Sequence, residues 1–239
     1  MSEWSIIEGD CAETIKSLQE ESVDCCFLTP PFYTKKHIRK EHDKCWGREQ
    51  TEEEFIQKMI SILSDIKRVI RKNGSCWIHG GEGYGSEIGT FWKLACEAKK
   101  NGWFIPKYFV IDLVSGGHRK WRENWGHSYM FLLTLQENDY YYNKDPILQS
   151  YGNNTILLAK QPCLAPPNIN FGWGLLPLDV AEACVMSTTP ENGIVLNPFS
   201  GSGTVGMACI KNSRHYIGYE LNPNNCELSR KRLRGEIWS

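Results

Sequence analysis

No hydrophobic run in this chain approaches the ~20 residues that a membrane span requires. The longest, such as Met130 to Leu133 and Ile156 to Ala159, have the length of a strand. An excess of charge of one sign is also missing. The 27 Lys and Arg against 28 Asp and Glu leave a formal net charge of -1, so any attraction for a polyanion must come from a local basic surface. The ten cysteines contain no Cys-x-x-Cys pair and no matching histidine spacing, which excludes the usual zinc frameworks, and no metal is expected. Cys25, Cys26, Cys76, Cys184 and Cys209 sit inside apolar runs. They read as small core residues in a reducing, cytoplasmic setting. The opening Met1-Ser2-Glu3-Trp4 lacks the basic and apolar stretches of a secretory leader, so none is expected. Repeats and low-complexity tracts are absent too.

What the chain does have is 239 residues, 41% of them hydrophobic, enough for one buried core in a single domain over 1–239. Strand-like and helix-like segments alternate, which predicts an α/β fold with a mainly parallel sheet. Strands are expected at Ser5 to Glu8, Val23 to Leu28, Ser75 to His79, Phe104 to Leu113, Ser128 to Leu135, Gly193 to Leu196 and His215 to Tyr219. Helices are expected at Cys11 to Gln19, Thr51 to Lys72, Thr90 to Lys100, 178 to 187, Gly203 to Lys211 and Asn225 to Leu233. The helix from Thr51 is the clearest. Thr51 and Glu54 form a capping box. Phe55, Met59, Ile62, Ile66, Val69 and Ile70 form an apolar stripe, and Asn73-Gly74 reads as its stop. Tyr140 to Asn170 reads as irregular.

Two segments carry chemistry. Ile194-Val195-Leu196-Asn197-Pro198-Phe199-Ser200-Gly201-Ser202-Gly203-Thr204 is a strand entering a glycine turn that opens a helix. Glycines let a backbone approach a ligand, and helix N-terminal amides favour anionic groups. Glu220 closes the next strand, where an acid accepts hydrogen bonds from ribose hydroxyls. No lysine follows Gly203, so this is not a P-loop. A plain turn with a solvated Glu220 is the competing reading. The other segment is Val23 to Leu28 running into Thr29-Pro30-Pro31-Phe32-Tyr33. The prolines stiffen the loop and remove N–H groups, leaving acceptors. Phe32 or Tyr33 offers a flat face to a base. Acceptors beside an aromatic plate suit an exocyclic NH₂, although a Pro-Pro can also simply end a strand.

Together these segments resemble the amino-group (cytosine-N4/adenine-N6) DNA methyltransferases. In that family the catalytic loop reads Asp/Asn/Ser/Thr-Pro-Pro-Tyr/Phe, and the cofactor loop Asp-Pro-Phe-x-Gly-Ser-Gly-Thr is followed by Ile-Gly-x-Glu. Here the catalytic loop comes first, which is the permuted order of the β class. Gly9-Asp10-Cys11, Trp46-Gly47 to Glu53, Arg71 to Gly74, His127-Ser128-Tyr129 and Tyr140-Tyr141-Tyr142 resemble further family segments. The resemblance implies a circularly permuted Rossmann-like sheet with helices on both faces, and S-adenosyl-L-methionine as cofactor. It implies Thr29, Pro30, Pro31 and Phe32 as catalytic residues. Asp10, Cys11, Pro198, Phe199, Ser200, Gly201, Ser202, Gly203, Thr204, Glu220, Leu221 and Asn222 would bind the cofactor, with Leu176, Pro177 and Asp179 near its methionine end. Asn197 departs from the family's Asp. Thr29 at the head of the loop is typical of cytosine-N4 enzymes, and Asp or Asn there of adenine-N6 enzymes. The implied mechanism flips the base and holds its NH₂ on the Thr29 hydroxyl and the Pro30 carbonyl.

Double-stranded DNA is the expected partner. A homodimer on a palindromic site and a cognate restriction endonuclease are compatible with the resemblance. Phosphate contacts are expected from Lys35, Lys36, His37, Arg39 and Lys40, and from Arg119, Lys120 and Arg122, with Tyr33 beside them. A solvated basic loop is the alternative. The 33–50 loop would face DNA, and 143–172 would form a short target-recognition region. His79, at a strand end before glycines, is either a cleft residue or a hydrogen-bonded structural histidine. Three further readings stay open. One is an adenine-N6 enzyme. Another is a cytosine-C5 enzyme using Pro162-Cys163 with Glu123-Asn124-Trp125, although its segment order would be reversed. The last is a binding module without catalysis.

Overall fold

A strand that is apolar on both faces must be covered on both faces, and Val23–Leu28 is such a strand. Cys25 and Phe27 point into one cluster of buried side chains, Cys26 and Leu28 into the other. The computed structural model describes residues 2–34, 45–81, 89–112, 127–159 and 176–237. The strands are β1 (Trp4–Glu8), β2 (Val23–Leu28), β3 (Ile70–Gly80), β4 (Phe104–Asp112), β5 (His127–Thr134), β6 (Ile156–Leu158), β7 (Ile194–Asn197) and β8 (His215–Glu220). They form one sheet in the order β1-β8-β7-β2-β3-β5-β4-β6. β1, β8, β7, β2 and β3 pair in parallel, as do β4 and β6, while β5 runs antiparallel to both neighbours.

One face carries α1 (Cys11–Thr14), which continues as a 3₁₀ turn over Ile15–Ser17, with α2 (Glu52–Val69) and α3 (Thr90–Lys100). The other carries α4 (Asp145–Tyr151), α5 (Leu178–Thr188), α6 (Thr204–Lys211) and α7 (Pro223–Leu233). This is the doubly covered, mainly parallel α/β architecture that the alternation implies. Trp77 ties α5 to the sheet. Its ring is fully buried, and Nε1 donates to Cys184 O at 3.2 Å and Thr188 Oγ1 at 2.9 Å, which satisfies the indole's one polar atom.

Two expectations are corrected. The helix from Thr51 stops at Val69, and Ile70 is already extended. Ile70 pairs with Val23, and the register then jumps to Ser75 opposite Cys25. Arg71 to Gly74 are therefore a bulge within β3, fastened by the Arg71–Asp24 ion pair and by Asn73 O accepting from Tyr141 N at 2.8 Å. Asn73-Gly74 shapes this bulge and does not stop the helix. The stretch read as irregular contains α4 and β6. Ile147, Tyr151 and Leu157 from it are buried in the core, so 145–158 is integral to the fold. Residues 160–175 lie outside the described residues.

Candidate active site

The C-terminal ends of the parallel strands meet in a cavity of about 270 Å³. β7 enters it through a loop whose shape depends on glycine. Gly201 and Gly203 have φ of 53° and 79°, a region that costs an L side chain energy. A Cβ on Gly203 would also lie 3.0 Å from the Ser229 side chain. Gly203 N donates to Ser200 O at 2.9 Å, and α6 starts immediately after. Asn197 is fully buried, and its Oδ1 accepts from Phe199 N at 2.8 Å.

Glu220 ends β8 and joins two loops. Its Oε2 accepts from Gly201 N and its Oε1 from Asn222 N, both at 2.8 Å. Burial pushes its carboxyl pKa up, and the amides of Asn222 and Gly201 hold it partly down. The Asn225 side chain and the Leu221 amide also donate to this carboxylate, which lines the cleft. Next to it, Asp10 caps α1 by accepting from Ala12 N at 3.1 Å. The Cys11 thiol is pushed up to about 12, first by burial and then by Asp10. It stays protonated, a neutral wall and not a nucleophile.

On the far side, β2 delivers Thr29 to Phe32. Thr29 Oγ1 donates to Phe199 O at 2.9 Å, so the two motif loops are bonded directly. The proline loop lies against Gly47, where a Cβ would come within 2.7 Å of Phe32 O and 3.0 Å of Pro31 O. Trp46 meets Phe199 edge-on at 5.1 Å. Phe32 lies edge-on to His79, with ring centroids 5.8 Å apart. His79 is buried, its Nε2 is 2.8 Å from Ser128 Oγ, and burial lowers its pKa to about 4.

The cleft thus joins an acid and a glycine loop at one end to a stiff, acceptor-rich loop with an aromatic ring at the other. A model of the DNA methylase family matches residues 23–231. The chain belongs to the DNA methylase family. Among similar proteins, the Type II methyltransferase M.Cfr9I of Citrobacter freundii is 26% identical, the alignment covering 97% of this chain and 88% of that one. The DNA adenine methyltransferase YhdJ of Escherichia coli (strain K12) is 25% identical, covering 96% and 82%. The fold resembles that of the PvuII DNA methyltransferase (cytosine-N4-specific), with a TM-score of 0.78 and 19% identity over 97% of this chain and 86% of that one. Neighbouring folds have been solved with S-adenosyl-L-methionine bound. The methylase modifies an exocyclic amino group of a DNA base and depends on S-adenosyl-L-methionine.

The residues of the methylase fit that cofactor. Glu220 presents a carboxylate suited to ribose hydroxyls, and the start of α6, which no side chain caps, presents the amides of its first turn. Of the cofactor residues expected from sequence, Asp10, Cys11, Pro198, Phe199, Ser200, Gly201, Ser202, Thr204, Glu220, Leu221 and Asn222 all line the cleft, as do Thr29, Pro30, Pro31 and Phe32. Gly203 does not line it and acts instead as the N-cap of α6. Leu176 lines it, whereas Asp179 accepts from Tyr151 Oη at 2.8 Å and does not. Asn197 keeps the loop bond that an aspartate would make, and its Nδ2 has no hydrogen-bond partner among the described residues.

Tyr33 is corrected. It is turned into the core, 2% exposed and stacked on Phe55 at 5.7 Å, so Phe32 is the ring of this pair that the cleft sees. Lys35, Lys36, His37, Arg39, Lys40, Arg119, Lys120 and Arg122 lie outside the described residues, as do Pro162-Cys163 and Glu123-Asn124-Trp125. Arg232 was missed by sequence reasoning. It is buried, and its Nη1 donates to Ser202 O, Ser202 Oγ and Thr204 Oγ1 at 3.1, 3.0 and 2.9 Å. The available signal was its helical spacing from Ser229, which touches Gly203.

Proposed function

We propose that the methylase transfers the methyl group to N4 of cytosine in double-stranded DNA. The observation that carries this reading is the bond from Thr29 Oγ1 to Phe199 O. A hydroxyl that spends its proton on a carbonyl turns its lone pairs to other donors. An amino group entering the cleft meets Thr29 Oγ1 as an acceptor, beside prolines that have no N–H to compete. The amino lone pair is conjugated into the ring, and hydrogen bonds accepted by Thr29 and the Pro30 carbonyl hold the NH₂ so that the lone pair localises. When bound, S-adenosyl-L-methionine supplies an electrophilic sulfonium methyl. Phe32 gives the extrahelical base a ring to pack against, which offsets part of the few kcal/mol that flipping costs. The neutral hydroxyl at the head of the loop favours cytosine, and the PvuII enzyme named cytosine-N4-specific has the same fold. The likeness to YhdJ favours adenine N6 as the second reading. The Type II relatives support a cognate restriction endonuclease as partner.

The deciding experiment incubates the methylase with labelled cofactor and plasmid DNA, digests the DNA and identifies the labelled nucleoside. N4-methylcytosine is the expected product. N6-methyladenine would move the assignment to the second reading, and 5-methylcytosine would overturn both. Thr29→Ala is expected to slow transfer by roughly 10- to 100-fold while calorimetric cofactor affinity stays unchanged. Full activity in that variant would remove the role given to Thr29.

A further inference from the structure

The strand order lays the cleft out in sequence. Glu220 at the end of β8 and Asn197 at the end of β7 mark the cofactor side, Thr29 follows β2, and His79 stands next to last in β3. His79 therefore belongs to the end at which a base would enter, and it lines the same cavity as Thr29 and Phe32. Its ring is held from two sides. Nε2 sits 2.8 Å from Ser128 Oγ on the neighbouring strand β5, and the Phe32 ring stands edge-on to it. With Nε2 committed to Ser128, Nδ1 is the polar atom that His79 has left for the cleft.

The chemistry of the target edge calls for such an atom. A base with an exocyclic amino group carries, on its Watson–Crick edge, a ring nitrogen acceptor beside that amino group: N3 in cytosine, N1 in adenine. An enzyme that flips a base reads this edge by hydrogen bonds. The proline loop offers acceptors for the amino protons and no N–H from its prolines, so the neighbouring ring nitrogen needs a donor from elsewhere. A buried ring nitrogen left unpaired would cost free energy on every binding event. Burial keeps His79 neutral at physiological pH, so it carries one ring proton. Where the Ser128 hydroxyl donates to Nε2 across the 2.8 Å contact, the ring proton sits on Nδ1.

We propose that His79 reads the target base, its Nδ1–H donating to the ring nitrogen next to the amino group, with Ser128 fixing the tautomer. This rests on the reading that the base is flipped into the cleft. The bond would fix the base against in-plane rotation, so that the amino group stays on Thr29 while Phe32 covers the ring.

The test pairs a change in the protein with a change in the base. Once the modified base and its sequence context are known from plasmid DNA, a duplex is made with the 3-deaza analogue of cytosine at the target, or the 1-deaza analogue if the base is adenine. Each analogue replaces the ring acceptor with C–H. His79→Gln places its amide near the Nε2 position and keeps the contact to Ser128, whereas His79→Asn places its amide near Nδ1. The deaza duplex should slow the wild-type chain by roughly 10- to 100-fold, and His79→Gln should slow transfer to the natural duplex by a similar factor. Combining the two should add little further loss, and His79→Asn should recover part of the rate. Calorimetric cofactor affinity of His79→Gln should stay within about twofold of wild type, which also shows that the variant is folded. Additive losses, or a full wild-type rate on the deaza duplex, would overturn the proposal. The second result needs no variant. A wild-type chain that methylates neither plasmid nor duplex would instead overturn the functional reading on which the proposal stands, and the proposal with it.

Discussion

Arg232 shows how much a single residue beneath the site can decide. Its guanidinium supplies donors to Ser202 O, Ser202 Oγ and Thr204 Oγ1, inside the loop that faces the cofactor. Hydrogen bonds from a charged donor contribute about 1.5–3 kcal/mol, and a buried acceptor left bare costs a similar amount. Arg232→Met should therefore weaken S-adenosyl-L-methionine binding by roughly tenfold or more, read by titration calorimetry. Arg232→Lys should restore only part of it, because a single ammonium cannot reproduce a planar fork. Undiminished affinity in Arg232→Met would show that the loop holds itself. The sequence hid this residue for a physical reason. Arg230, Lys231 and Arg232 fill the last turn of α7, where cations complement the helix dipole from the surface. Only the tertiary fold distinguishes the one that turns inward. Tyr33 was hidden differently. Consecutive side chains of an extended segment leave on opposite sides, and the sequence alone does not say whether Phe32 or Tyr33 takes the cleft.

At the scale of elements, legibility follows length and local chemistry. The start of α2 was readable because the capping box is local. Thr51 Oγ1 accepts from Glu54 N at 3.1 Å, and Glu54 returns a bond to the Thr51 amide. Thr51→Ala should lower unfolding free energy by about 1 kcal/mol, measured by urea denaturation, with methyl transfer unchanged because Thr51 does not line the cleft. A loss of turnover at unchanged stability would contradict that placement. The end of α2 was unreadable because it is decided by a distant partner. Ile70 continues the apolar stripe, yet pairing with Val23 draws it into β3. α4 and β6 were unreadable because they are short. A seven-residue helix and a three-residue strand present too little period to register. β6 exists through its parallel pairing with Val110 to Asp112, a contact that no local pattern announces.

For the whole molecule, the decisive event is that two loops far apart in the chain arrive at one sheet edge, where Thr29 bonds Phe199. Motif order and resemblance made this meeting legible. Composition and net charge carried no trace of it. The same convergence buries two ionisable groups in one cleft, with opposite consequences for stability against pH. Glu220 is raised by burial, so the folded state holds its proton more tightly than the unfolded chain does. Its contribution is fully present below the ordinary carboxylate pKa and is lost as pH rises through the folded value. His79 is lowered from 6.5 to about 4. Its contribution is fully present above 6.5 and is lost as pH falls toward 4, because the unfolded chain takes up a proton that the folded one refuses. Between pH 7 and pH 5 the His79 share amounts to about 2 kcal/mol. Urea denaturation of wild type and His79→Gln at both pH values isolates it, since Glu220 and every other titrating group are common to the two proteins. The wild type should lose about 2 kcal/mol more than the variant on acidification. Equal losses would mean that His79 is open to solvent in the folded state, and the neutral ring that the cleft requires would go with it.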